Sequence, residues 1–404
     1  MTAVAGNTTA LAGRTAADIA IDESDTVPVF RPYLGPEVHA ATTAALNAGF
    51  LGLGSRTREF EFGIESFLEG SGRYAVATSS CTEALHLAAR LADIGHGDEV
   101  ICPSFTYVAG HQAMTATGAD VVLCDIEPDT LGLDAARARE LIGPRTRALM
   151  LMHYGGVPCR DTEAVYTLAR EHGLRVIEDA AHAFGSTTQD GHIGASGDLT
   201  CFSFGPVKLI TTLEGGAVIT SNEADVQVLH ELRLIGVNSD TEARYRDTRT
   251  WHYDVTRQGY RSHLGSIPAA IGTAQLALAK EFIGNRQSYC RRYDEAFAAF
   301  PQLARLDTDW SNIAPFIYTV RCPDEMAREQ LMAHLRSEGV ASGIHFLGAH
   351  TFSFYRSARR GPLPVTEYMS ERIVTLPLHS YMADRTIDRV IGAVRGFFGS
   401  GSGL

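Results

Sequence analysis

Lysine is scarce in this 404-residue chain: Lys208 and Lys280 are two of 35 basic residues, and the rest are arginine. Arginine stays protonated at any usable pH and cannot act as an amine nucleophile, whereas a partly desolvated lysine can. Lys208 follows an apolar run, Cys201-Phe202-Ser203-Phe204-Gly205-Pro206-Val207, and precedes a glycine pair, Gly215-Gly216. Such a lysine is suited to Schiff-base chemistry, although a solvated surface lysine is the ordinary alternative. Lys280 lies in a helical pattern, ALAKEFI, and reads as a surface residue.

Three further polar clusters share that stretch of chain. Ser79-Ser80-Cys81-Thr82 falls between a strand pattern and a helix start, where backbone N–H groups and hydroxyls suit a phosphate. A plain N-cap is the simpler reading. Glu178-Asp179-Ala180-Ala181-His182 follows an LRVI strand. It offers a carboxylate for a cationic ring nitrogen and an imidazole three residues on, or a capping Asp and a core His. Pro103-Ser104-Phe105-Thr106-Tyr107 places aromatics at a strand end, for stacking on a flat ring or for packing. A phosphate cup, a stacking aromatic, a carboxylate and an amine nucleophile together meet the needs of pyridoxal phosphate.

The elements that must position these residues alternate along the chain. Strand patterns at Tyr74–Thr78, Val100–Cys102, Asp120–Cys124, Ala148–Met152, Leu174–Ile177, Leu199–Phe204 and Gly216–Thr220 are separated mostly by helical ones. These helices are expected at Thr82–Ile94, Tyr107–Thr117, Ala135–Ile142, Thr162–His172 and Ala224–Leu234. The alternation predicts an α/β fold with a mostly parallel sheet between helices. After it comes a smaller C-terminal α+β unit: one or two helices over Leu264–Phe300, a strand at Ala314–Arg321, and helices at Glu325–Glu338 and Arg385–Phe397. The expected division is a mobile arm over 1–27, a large cofactor-binding domain over 28–250, a small domain over 251–398 and a flexible tail over 399–404. Residues Ser239–Gln258 read as an Arg-rich linker.

Composition narrows the function classes. The net charge is −12 and no basic block is concentrated, so nucleic acid and anionic membrane are poor partners. Seven scattered cysteines without a C-x-x-C pair argue against a disulfide framework or a zinc site and fit the cytoplasm. No apolar run reaches the roughly 18 residues of a membrane span. The G-x-G-x-x-G of a dinucleotide-binding oxidoreductase and the G-x-S-x-G of a serine hydrolase are both absent.

The chain resembles the DegT/DnrJ/EryC1/StrS family of sugar aminotransferases, which depend on pyridoxal phosphate and have fold type I. The likeness runs from about Pro32 to His379 through ATSSCTEAL, GDEVICPSFTYV, HYGGVPC, VIEDAAHAF, FSFGPVKLITTLEGGAV and GYRSHLGSIPAAIGTAQ. It implies Lys208 as the Schiff-base lysine, Asp179 on the pyridinium nitrogen, His182 near the ring hydroxyl, and Tyr107 as the stacking residue. Ser80, Cys81, Thr82 and Ser203 would approach the phosphate. It also implies a homodimer whose sites are completed by the partner around Gly259-Tyr260-Arg261. The chain departs from the commoner pattern at Cys81, where Gly is frequent, at Gly205 and Leu209 beside the lysine, and at Arg261, where Asn is frequent. The expected reaction moves the amino group of glutamate (or glutamine) to a nucleotide-linked keto-sugar, foremost a dTDP-4-keto-6-deoxyhexose, in deoxyaminosugar and antibiotic biosynthesis. Alternatives are a 3-keto-sugar or cyclitol (inosose) aminotransferase, a 3-amino-5-hydroxybenzoate synthase, and a non-catalytic regulatory protein. A sugar 3-dehydratase of this fold carries His in place of the lysine, so Lys208 argues against it. Gly52-Leu53-Gly54, Tyr154 and His345-Phe346 are candidate substrate contacts.

Overall fold

The structure is a computed structural model that describes residues 26–69, 72–237 and 253–399. Most of the expected arm (1–27), most of the expected Arg-rich linker and residues 400–404 of the tail lie outside the described residues. Two helices open the described chain, α1 (Pro36–Asn47) and α2 (Ser55–Phe67). Then follow β1 (Tyr74–Thr78), α3 (Cys81–Leu91), β2 (Glu99–Pro103), α4 (Ala109–Thr115), β3 (Asp120–Cys124), α5 (Ala135–Leu141), β4 (Thr146–Met152), α6 (Thr162–His172) and β5 (Arg175–Asp179). A two-residue hairpin pair, β6 (Thr187–Thr188) and β7 (Gly191–His192), leads to β8 (Leu199–Ser203), β9 (Gly216–Thr220) and α7 (Glu223–Arg233).

Seven of these strands form one sheet in the order β1-β9-β8-β5-β4-β2-β3. The pairs from β8 through β3 are parallel, and β9 runs antiparallel to both β1 and β8. Strand β9 is thus the one reversed strand, and the other six end at the same edge. Both faces of the sheet are covered, so its strands are nearly continuous apolar runs. Side chains alternate between faces with period two. Val100, Cys102, Ile177, Cys201 and Val218 pack in one cluster with Leu85, Ala88 and Met114 of α3 and α4. On the opposite face, Ile101, Leu149, Leu151 and Val176 pack with Ala138 of α5 and Val165 and Leu168 of α6. Ala75, Ala77, Phe202 and Ile219 pack there with Phe60 and Ile64 of α2.

The second half begins with α8 (Ser266–Leu276) and α9 (Ala279–Phe297). A three-stranded antiparallel sheet follows, β10 (Ala304–Arg305), β11 (Tyr318–Arg321) and β12 (Ile373–Leu376). It packs with α10 (Glu325–Ser337), α11 (Pro364–Arg372) and α12 (Asp384–Gly399). Helix α9 joins the two cores: Phe282 lies in the cluster under the large sheet, and Tyr293 and Phe297 lie in the cluster of the small one.

Several expectations are corrected. Strand β5 runs through Glu178 and Asp179, so these carboxylates end the strand and do not follow it. Strand β11 starts at Tyr318, four residues later than expected, because residues 314–317 turn to pack beside β4's exit. The fourth helix begins at Ala109, which leaves Tyr107 in the loop before it. Helices α1, α2 and α11 and strands β6, β7, β10 and β12 had no sequence-level expectation. Among the described residues, no helix is long and apolar enough to cross a membrane.

Candidate active site

The shared edge of the six co-directional strands holds a cavity of about 560 Å³. Its walls include Ser80, Cys81 and Thr82 from the start of α3, Thr106 and Tyr107 after β2, Met152 at the end of β4, and Asp179 at the end of β5. Ser203 ends β8, and Gly205, Lys208 and Glu214 come from the loop before β9. His182, Phe30, Phe316, His345 and Phe346 add to the wall. Eight of the nine expected site residues therefore meet in one cavity. The ninth, Arg261, is exposed, bridges to Leu234 and lies outside this chain's cavity.

Period-two alternation separates the neighbouring carboxylates at the end of β5. Asp179 shares the α3/α4 face with Ile177 and enters the cavity. Glu178 points to the other face, where it accepts hydrogen bonds from Tyr166 and, at 3.0 Å, pairs with His153. Asp179 accepts one hydrogen bond, from the Ala181 N–H at 3.1 Å. Burial raises its pKa above the ordinary carboxylate range, opposed by that N–H and by the charges of Lys208 and His153. A buried carboxylate with one donor gains from a charged ring N–H.

Lys208 lies in the turn after β8 with its Nζ 4.2 Å from the centre of the Phe316 ring. Burial lowers its pKa to about 8, against the opposing pull of Cys81 and Asp179. Lys280, in contrast, is a surface residue with Glu69 at 3.9 Å. His182 accepts the Gly155 N–H at Nδ1, 3.3 Å, which leaves Nε2 to carry the proton of the neutral ring. Its ring lies 4.2 Å from Phe316. Burial, with Lys208 and His345 adding repulsion, holds His182 well below its usual pKa. His345 is lowered to about 4 by burial and by Lys208.

At the start of α3 the N-cap reading of the sequence holds. Ser80 is the N-cap, accepting the Glu83 N–H at Oγ, 3.1 Å. Its hydroxyl oxygen accepts from the backbone and its O–H can still donate, beside the N–H groups of the residues after it. The Cys81 and Thr82 N–H groups have no acceptor among the described residues, as expected of a first helical turn. Strand β9 presses against this cup: a Cβ on Gly216 would lie 2.6 Å from the Ser80 carbonyl and from the Cys81 nitrogen. Ser203 accepts the Gly205 N–H at 3.4 Å. All seven cysteines are free and buried, and burial pushes the Cys81 thiol well up, so it is a small apolar wall.

These residues fit pyridoxal phosphate: unpartnered N–H groups at a helix start for the phosphate, an under-satisfied buried carboxylate for the ring nitrogen, and an amine of lowered pKa between them. Of the proposed substrate contacts, His345 and Phe346 line the cavity. Tyr154 does not; its hydroxyl bonds the His345 carbonyl, so it supports the wall from behind. Gly52 is also outside the cavity lining, its carbonyl bonded by Ser266 at 2.8 Å. Phe30 and Phe316 were missed, because an isolated Phe in the VPVFRPY or APFIYTV patterns has no signal distinguishing a site wall from a core.

Comparison with known proteins identifies the family. A family model described as the DegT/DnrJ/EryC1/StrS aminotransferase family matches residues 32–395. The aminotransferase TlmJ from Streptoalloteichus hindustanus is 32% identical, with a TM-score of 0.85 over 93% of this chain and 100% of that one. DesV of S. venezuelae, solved in complex with a ketimine intermediate, is 31% identical, with a TM-score of 0.82 over 92% and 98% of the two chains. Spr1654 from Streptococcus pneumoniae, provisionally described as a sugar aminotransferase and solved in a PMP form, is 25% identical at a TM-score of 0.85, covering 92% and 98%. The chain belongs to the DegT/DnrJ/EryC1/StrS aminotransferase family and is a pyridoxal-phosphate-dependent sugar aminotransferase.

Proposed function

We propose that the protein transfers the amino group of glutamate to a nucleotide-linked keto-sugar, foremost a dTDP-4-keto-6-deoxyhexose. The observation that carries the reading is the cavity wall around Lys208. Phe30, Phe316, Phe346 and Met152 make it apolar, and its two imidazoles, His182 and His345, are held neutral. No arginine lines it among the described residues. This apolar stretch of wall, with the carboxylates Asp179 and Glu214 elsewhere in the lining, suits the methyl-bearing face of a deoxyhexose better than a polyhydroxylated cyclitol.

In this reading the Ser80 hydroxyl, the Cys81 and Thr82 N–H groups, the Thr82 hydroxyl and Ser203 would hold the cofactor phosphate. Asp179 would take the ring N–H, with His182 for the ring hydroxyl and Tyr107 for stacking. When bound, the cofactor supplies an electron sink for the carbon that loses its proton. Lys208 holds the cofactor through its amine, then takes the proton from the donor and returns it. A single amine serves both transfers because its pKa of about 8 lies near neutral pH. The apolar wall keeps water from the reacting carbon.

The site takes its remaining cation from a second copy of the chain. The exposed Arg261, outside its own cavity, would reach the partner's cofactor phosphate in a homodimer. The free cysteines suit a cytoplasmic enzyme. The experiment is a panel of dTDP- and UDP-linked keto-sugars with glutamate, read by product mass. Amination of a dTDP-4-keto-6-deoxyhexose is expected; activity on a free cyclitol alone would overturn the substrate assignment.

A further inference from the structure

Arg286 is, among the described residues, the largest side chain that is fully buried, 1% exposed, and it sits midway along α9 where that helix passes from the large core to the small one. No carboxylate lies within ion-pair distance of it among the described residues. Its partners are neutral oxygens. Nη1 donates to the Pro315 carbonyl at 3.2 Å and the Phe316 carbonyl at 3.0 Å, and Nε donates to Ser380 Oγ at 3.1 Å. Burial lowers its pKa to about 10, so it stays charged at neutral pH.

Burying a guanidinium without a counter-ion is expensive unless its geometry is needed. What this one holds is the backbone of Phe316. That ring lies 4.2 Å from Lys208 Nζ, 4.2 Å from His182 and 5.2 Å from Phe30, stacked on the last. It is one contact through which the small unit reaches the reactive amine, beside His345 and Phe346. The other titratable groups in the cavity with Lys208 are Asp179 from β5, Cys81 from α3, Tyr107, Glu214 from its own loop, His182 and His345. On the far side, Arg286 faces His379.

We propose that Arg286 is a positioning residue: its clamp on the 315–316 backbone and Ser380 fixes the Phe316 ring against the Lys208 amine, and so sets how readily that amine takes up and returns the transferred proton. A ring face under an ammonium favours the charged form. Loosening the clamp removes that support, and the amine becomes less basic. The inference rests on Lys208 being the working amine.

The chain has two lysines, so competitive acylation of the full-length apoprotein across pH, read by mass spectrometry, follows Lys208 with Lys280 as internal reference. Phe316→Leu is expected to lower the Lys208 titration by about half to one pH unit. Arg286→Lys and Arg286→Gln are expected to lower it similarly, and adding Phe316→Leu to either should give no further change. Direct charge repulsion predicts the opposite sign for Arg286→Gln, a higher Lys208 titration, and that result overturns the proposal. So does an unchanged value in Arg286→Lys. Should neither Arg286 variant fold, Ser380→Ala decides: a lower titration supports the clamp and an unchanged one overturns it. Labelling is independent of turnover, so failure here is distinct from failure of the proposed reaction, which borohydride trapping and the sugar panel test.

Discussion

Replacing Lys208 by Met should abolish amino transfer and at the same time stabilise the apoprotein. The folded side chain has its pKa lowered from 10.5 to about 8. The unfolded chain therefore binds the extra proton between about pH 8 and 10.5, and stability rises with pH across that window. Below about pH 8 both states are charged and the penalty is fully present. At 1.36 kcal/mol per pH unit it amounts to roughly 3 kcal/mol as a ceiling. The contact with Phe316, 4.2 Å from Nζ, returns about 1 kcal/mol that Met lacks. The variant should thus be about 2 kcal/mol more stable than the wild type at neutral pH. Urea denaturation of the two apoproteins at a series of pH values measures this directly. The gap should hold from neutral pH to about pH 8 and close toward pH 10.5, because the wild type sheds its buried charge. Equal stabilities at neutral pH, or a gap that widens with pH, would refute the burial argument.

Other substitutions separate the parts of the site. Asp179→Asn removes the charge that the ring N–H requires; cofactor affinity should fall about 10- to 100-fold, read by fluorescence titration, with the apoprotein's melting temperature held or raised. Gly216→Ala brings a Cβ to 2.6 Å from Ser80 and Cys81. The overpacking should cost about 1–3 kcal/mol and weaken phosphate binding, seen in thermal melts and cofactor titration; unchanged values would mean the cup can shift. Arg261→Ala should weaken cofactor retention. Mixing it with Lys208→Ala should restore part of the activity through hybrid dimers, whereas no recovery would place Arg261 outside the shared site.

Much of the fold is legible in the sequence, and the reasons lie in particular residues. Strands β1, β3 and β9 had the expected bounds because both faces are buried and each is a short apolar run ended by turn residues. Lys208 was legible through the rarity of its type. The order of the strands was not, since pairing of β9 between β1 and β8 is set by tertiary packing. Helices α1 and α2 escaped notice because each buries only two apolar residues, and both pack on α8, far along the chain. Ser80 showed that a capping role and a site role can fall on one motif: its hydroxyl caps α3 and the N–H groups after it are left free. Phe316 and Arg286 were illegible because their importance lies in a contact between two distant segments, with nothing unusual in either one.

The central claim is that Lys208 is the amine that holds the cofactor. Incubation with pyridoxal phosphate, reduction with borohydride and peptide mass spectrometry test it most directly. The account predicts one pyridoxyl group per chain, on the peptide carrying Lys208. A label on Lys280, or none on either lysine, would contradict it.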